Sequence, residues 1–444
     1  MYASLTAKPL TLCIAIALTF TLSAQHSHTH EGLHHWEIPS KDPDRIMLTF
    51  KGDPATSRAV TWRTDTSIEN AVAQIAEAMV NSNFTANAAT LAATTESFDL
   101  GLYKGNSSLN VHYHSVVFEG LKADTQYVYR VGDGESHWSE WIQFKTAKAE
   151  YAPTQFVYFG DAQNSVLEHW SRVIRLAFQT APHASFVVHA GDLINDAHHD
   201  QEWAEWYKAG GFIHSQWTAI PVVGNHEFRS LSRGDARQLA IQWRPQFTLP
   251  VENDLPAALH ETVYTVDYQD IRVIVLNSND QLEAQTAYLE TQLKNSTAKW
   301  NIITCHHSVF SPAKGRDFQF AREHWKPLLD QYNVDLVLNG HDHTYARGHV
   351  PVRSTDSTSD EDLSTVYVTS VSGPKQYELD EEQMKAYTAQ GYTLDKAAEQ
   401  TQFYQVITID GNTLTYVAYT ALGEAYDRAV ITKDFATGKK KLGE

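Results

Sequence analysis

Cysteine is almost absent from this chain: Cys13 and Cys305 are the only two in 444 residues. Cys13 falls inside an apolar N-terminal run, so a processed chain would keep a single thiol. An internal disulfide is then excluded, and so is a thiolate-rich zinc site; stability has to come from core packing or bound metal. Basic blocks are missing too, and the formal net charge is −18. Without an electrostatic footprint for a phosphate backbone, nucleic acid is not an expected partner. Long hydrophobic runs occur only at the start. Residues 1–24 join Lys8, an apolar stretch from Leu10 to Leu22 and the small pair Ser23-Ala24. That is the layout of a signal peptide and is short for a membrane span, so a secreted or periplasmic protein with no stable membrane insertion is expected. The tail 25–36 carries His26, His28, His30, His34 and His35. Such a tract can capture metal or simply remain a polar tail, and it is assigned no catalytic role.

What is present is a large globular body. Hydrophobic residues make up 42% and charged residues 20%, over a length that suggests two domains. From 37 to 147 short runs rich in Val, Tyr and Trp alternate with turns, among them IMLTF at 46–50, HYHSVVF at 112–118 and QYVYRV at 126–131. These predict a β-sandwich. The Ala-rich piece 71–94 fits a helix or a strand. From 152 to 425 strands at 155–159, 185–190, 220–223, 271–276, 301–305 and 334–338 alternate with helical patterns at 165–180, 201–209, 281–294 and 320–331. Alternation of this kind predicts an α/β domain of layered sheets flanked by helices. The runs 365–371, 402–409 and 413–419 return to strands without helices.

Five of these strands end in groups able to hold a cation. They are Gly160-Asp161, Gly191-Asp192, Gly224-Asn225-His226-Glu227, Cys305-His306-His307 and Gly340-His341-Asp342-His343. Each alone reads as an ordinary turn. Together, at the strand ends where α/β folds collect their chemistry, they supply two carboxylates, an amide oxygen and at least three imidazoles. Such a mixed oxygen and nitrogen set suits two adjacent first-row metals, Fe, Zn or Mn, with one carboxylate between them. Glycine ahead of four of the five is expected to turn the backbone sharply there.

In this order the motifs resemble the calcineurin-like metallophosphoesterases, and among them the purple acid phosphatases, over about 37 to 425. The sandwich segment LKADTQYVYRVG at 121–132 is similar to that family's fibronectin type III-like companion domain. The resemblance implies that Asp161 and His343 hold one metal, that Asp192 bridges, and that Asn225, His306 and His341 hold the other. His226 is implied as the catalytic group beside the substrate phosphate. Counting six residues on from Trp300, as in the family's strand, selects His306 and leaves His307 in an outer position. The implied activity is hydrolysis of small phosphomonoesters by attack of a metal-bound hydroxide. Alternatives of the same fold are a phosphodiesterase or pyrophosphatase.

Two positions depart from the family. The Tyr expected three residues after the second Asp is Asn195, and the first motif reads Asp161-Ala162-Gln163. Gln163, Asn195 or water then fills the vacancy at the first metal, and a catalytically degraded surface binding protein becomes an alternative function. Loss of a hard phenolate weakens the case for ferric iron. The metal-loaded, oxidised protein is accordingly expected to be colourless; a strong visible band that disappears on metal removal contradicts this.

Overall fold

The computed structural model describes residues 34–102, 110–352 and 363–443. The expected signal segment 1–24 and the tail up to residue 33 lie outside the described residues. Among the described residues, no helix is long and apolar enough to cross a membrane.

The N-terminal part is a sandwich of two four-stranded layers. Asp44–Thr49, Arg58–Asp65, Asn110–Phe118 and Thr94–Asp99 pair antiparallel in one, and Ala89–Ala92, Val72–Glu77, Gln126–Gly132 and Ile142–Lys145 in the other. Leu48, Val60, Trp62, Phe118, Tyr129 and Phe144 fill the space between. The Ala-rich piece resolves as the strands Val72–Glu77 and Ala89–Ala92 joined through a short 3-10 helix, Ser82–Asn87; in the first strand Ala73 and Ile75 point inward while Val72 and Gln74 do not. A period of two buries that face only in a sheet.

The second part holds two sheets with helices outside them. Thr154–Phe159, Phe186–His189 and Thr218–Pro221 run parallel, flanked by antiparallel Phe403–Asp410, Thr413–Thr420 and Ala425–Lys433. Ile271–Val275, Trp300–Thr304, Leu336–Asn339 and Leu363–Thr369 form a second parallel set. Side chains of this set alternate: Val273, Ile302, Leu336 and Val366 face the first sheet, whereas Ile274, Ile303, Val337 and Tyr367 face the helices Leu282–Lys294 and Lys326–Gln331. Burial on both faces explains why these strands read as unbroken apolar runs. Lys440–Gly443 pairs with Ala425–Lys433 and touches Leu363–Thr369, so the sheet continues past residue 425 and links the two halves. The tail expected to lack helices contains one, Glu381–Thr388. Only Met384 and Tyr387 of it are buried, too little of a stripe to show in the sequence.

The two parts are not beads on a linker. Leu48 and Thr49 pair parallel with Thr218 and Ala219, making the first sandwich strand the edge of the second part's sheet. Arg45 binds the buried Asp200 carboxylate with two bonds of 2.8 Å, and the Tyr129 hydroxyl donates to the Ser215 carbonyl at 2.6 Å. Bidentate arginine pairs of this kind add orientation as well as energy.

Two interior imidazoles stay neutral in this fold. His114 sits between the Thr64 and Thr95 hydroxyls at 2.8 and 2.9 Å, and burial with His112 beside it pushes it down to about 4. Burial also pushes His214, stacked on Trp206, down to about 4. Unfolding frees both to take protons near pH 6.5, so their contribution is complete above that pH and is lost as pH falls toward 4, by about 1.4 kcal/mol per pH unit for each group. The melting temperature is expected to fall across this window, more gently in His114→Gln. A flat profile contradicts the assignment.

Candidate metal centre

Five strands deliver their polar ends to one place. Asp161 follows Thr154–Phe159, Asp192 follows Phe186–His189, and Asn225 and His226 follow Thr218–Pro221; His306 follows Trp300–Thr304, and His341 and His343 follow Leu336–Asn339. Two groups result, each with ligand atoms within 4.8 Å of one another and each able to hold a metal ion: Asp192 with His306 and His341, and Asp161 with Asp192 and His343. Asp192 belongs to both. The Asn225 amide oxygen completes the first group, 2.8 Å from His341 Nδ1 and 3.1 Å from His306 Nε2. Those two ring nitrogens are 3.2 Å apart.

The backbone explains how so many donors crowd together. Asp161, Asp192, His341 and His343 all take left-handed conformations, with φ of 35°, 51°, 75° and 51°. Each costs on the order of 1–3 kcal/mol for a non-glycine residue. Of the four preceding glycines only Gly191 has a positive φ. The sharp turn expected of the glycines is therefore made mostly by the polar residues themselves. Gly160, Gly224 and Gly340 serve close approach instead: a side chain on them would strike Ser370, Asp192 and Asp161 respectively. His341 and His343 also lie beyond the strand, so left-handed turns aim them.

His306 and His226 are oriented from behind by backbone carbonyls. His306 Nδ1 lies 2.8 Å from the Ala190 carbonyl, which leaves Nε2 for the site, 3.1 Å from Asp192 Oδ2. A backbone carbonyl on the far nitrogen is the usual means of fixing a metal-binding tautomer. His307 stands apart from the set, bound to Ser278 Oγ at 2.7 Å, with its ring against that of His341. His226 donates its backbone N–H to Asp192 Oδ1 at 2.8 Å, and its Nδ1 lies 2.5 Å from the Asn195 carbonyl. Its Nε2 then faces the site, 4.0 Å from Asp192 Oδ2. Asn195 thus acts on the centre through its carbonyl, which also accepts from Arg229 at 3.0 Å.

The electrostatics ask for cations. Asp161 and Asp192 are buried together, and burial, with Asp192 adding to it against the pull of His306, holds Asp161 well above the usual carboxylate range. Burial opposes the charge on Asp192 as well, but His306 and His226 outweigh it and keep that carboxyl below its ordinary value. His306 rises to about 9 although burial pulls it down, because Asp192 faces it. Asp161 Oδ1 is buried with no hydrogen-bond partner. An acceptor left bare in the interior is costly unless a cation meets it. The donor set therefore fits two metal ions.

Gln163 joins this centre. It is fully buried, with Nε2 placed 2.9 Å from Asp192 Oδ2 and 3.3 Å from His343 Nε2, while Oε1 has no partner. A half turn of the amide exchanges the two atoms and presents the oxygen to the same point.

A model of the calcineurin-like phosphoesterases matches residues 154–345, and a model of the purple acid phosphatase N-terminal domain matches residues 43–146. The chain belongs to the calcineurin-like phosphoesterases, with the N-terminal domain of the purple acid phosphatases. Similar sequences include an uncharacterized protein of Mycobacterium tuberculosis, 26% identical over 354 residues, which are 70% of this chain and 63% of that protein. Purple acid phosphatase 17 of Arabidopsis thaliana is 28% identical over 221 residues, 44% of this chain and 60% of its own length. The chain thus spans somewhat under two thirds of these relatives. Purple acid phosphatase PPD1 from yellow lupin (Lupinus luteus) seeds shares the fold, with a TM-score of 0.73 at 18% identity over 90% of this chain and 76% of that one.

Some members of this centre were not singled out from sequence. Glu227 is one: its carboxylate accepts from the N–H groups of Asp192 at 2.9 Å, Leu193 at 2.9 Å and Gly224 at 2.6 Å, tying two strand ends together. It stood in plain view in Gly224-Asn225-His226-Glu227, but two of its three partners are 34 and 35 residues away. Asp342 is buried beside Ser308 and Ser311, and burial lifts it to about 6. Glu227→Ala would strand three buried donors at about 1–3 kcal/mol each. A clear drop in melting temperature together with weaker metal binding by calorimetric titration is expected; unchanged metal affinity would show that Glu227 does not position Asp192.

Proposed function

We propose that this protein is an exported two-metal phosphoesterase that hydrolyses small phosphomonoesters. The observation that carries the reading is the meeting of donors from five strand ends in two groups that share Asp192. Asp161, His343 and the Gln163 amide would hold one ion, and Asn225, His306 and His341 the other, with Asp192 between. Bound there, two such ions supply an activated water and neutralise phosphate charge. A neutral amide in place of a phenolate supports divalent Mn, Zn or ferrous iron over a ferric ion. Export rests on the pattern of residues 1–24.

The chain's own groups supply the rest. His226 Nε2 looks into the site while Nδ1 is anchored on the Asn195 carbonyl, so the ring is held to accept phosphate charge and to pass a proton to the departing alkoxide. Arg229 Nη2 lies 3.1 Å from the same ring. Burial chiefly, with Lys375 adding to it, depresses the protonation of His226 and His343. Fixed cations around one pocket favour a phosphomonoester dianion over a singly charged diester. The intact donor groups, with His226 held beside them, favour an enzyme over a degraded binding protein.

The test combines metal analysis with one chromogenic phosphomonoester and its diester. About two ions per chain and faster monoester hydrolysis are expected. His226→Ala should lower kcat roughly 10²–10⁴-fold at unchanged metal content. Loss of metal in that variant, or a preference for the diester, overturns the corresponding part of the reading.

A further inference from the structure

One cation reaches the donor atoms themselves. Arg316 lies on the loop after the His306-His307 strand end, yet its Nη1 contacts both ring nitrogens of His341, at 3.0 Å for Nδ1. That Nδ1 is the atom that faces Asn225 Oδ1 and His306 Nε2. The other arm of the guanidinium donates to the Tyr377 hydroxyl at 3.2 Å, and its carbon lies 4.9 Å from the centre of the Tyr377 ring. Tyr377 in turn packs its ring edge-on against His343, 4.8 Å away, and donates its backbone N–H to the His343 carbonyl at 3.1 Å. Arg316 and Tyr377 therefore span both halves of the centre.

The loop that carries Arg316 is fastened. Lys314 donates to the Glu378 carbonyl at 3.1 Å, Asp380 to the Pro312 carbonyl at 2.8 Å, and the Gln383 amide to the Arg316 carbonyl at 2.6 Å. A guanidinium keeps its proton and offers only donors. It cannot share His341 Nδ1 with a second cation. Once an ion occupies that nitrogen, the guanidinium is repelled outward and is best satisfied by an anion lying between the two. Its flat fork matches two oxygens of one phosphate.

We propose that Arg316, steadied by Tyr377, clamps the substrate phosphate over the ion held by Asn225, His306 and His341. This rests on the two-metal reading above. It makes Arg316 the group that sets affinity for the terminal phosphate, and orthophosphate, the product, should use the same clamp. The metal-loaded full chain is tested with a chromogenic phosphomonoester and with orthophosphate as inhibitor. Arg316→Ala is expected to raise both KM and the orthophosphate inhibition constant roughly 10–100-fold, with two ions per chain retained. Arg316→Lys should fall between, since an ammonium restores charge without the paired bonds. Truncating the side chain leaves the loop's backbone bonds in place, so folding is expected to survive, and the melting temperature checks it. An unchanged orthophosphate constant at full metal content overturns the clamp alone, as does a variant that only binds metal more tightly, which would make Arg316 a plug for the empty site. A wild-type chain that takes up no metal overturns the parent reading, and the clamp with it.

Discussion

Two carboxylates buried side by side are the constraint around which this molecule is arranged. Asp161 and Asp192 sit under the strand ends, away from water, each disfavouring the other's charge. An interior of low effective dielectric makes that pairing expensive unless positive charge lies between the carboxylates. Everything nearby reads as an answer to it. His306 is raised to about 9 opposite Asp192; Arg316 contacts His341; and Asp161 Oδ1, which has no hydrogen-bond partner, lies 3.8 Å from His343 Nε2. Cations held there would take over that charge and leave the imidazoles as neutral donors.

The same constraint accounts for the strained backbone. Left-handed conformations at four donor residues would be a liability in an ordinary loop. Here they bring side chains from neighbouring strands to a common point, and the glycines remove the side chains that would otherwise fill it. Glu227 collects three N–H groups released by these turns. Strain is tolerated because two well-packed sheets hold the strand ends from below, with Phe156, Val187, Ile220, Ile302 and Leu338 fully or almost fully buried.

Most of the donor set was legible because five strongly apolar strands of one domain end in acids, an amide or imidazoles, although each end alone reads as an ordinary turn, and because their order resembles that of a known family. The choice of His306 over His307 rests on the family's spacing from Trp300; in the structure His306 joins the donor group and His307 binds Ser278. Less was visible where the signal is three-dimensional. Arg316 is ten residues beyond His306, in a polar loop, and nothing local distinguishes it from Lys314; its position follows from pairing with residues 378–380. The continuous sheet joining the two parts escaped notice for the same reason, because strand Asp44–Thr49 carries no mark of which edge it will extend.

Charge at two scales narrows what this site can receive. The whole chain carries −18, a field that opposes approach of long polyanions. Close to the donors the sign reverses, with Arg229, Arg316 and Lys375 gathered around His226, His341 and His343. At physiological ionic strength the distant charges are screened beyond about 8 Å, whereas partly buried cations are screened far less. A compact phosphate ester small enough to sit inside that radius experiences the local cations and little of the acidic surface. A long polyanion experiences both. Under the proposed function, discrimination would follow from dimensions rather than from any specific contact, and it would act before the site has read the leaving group at all.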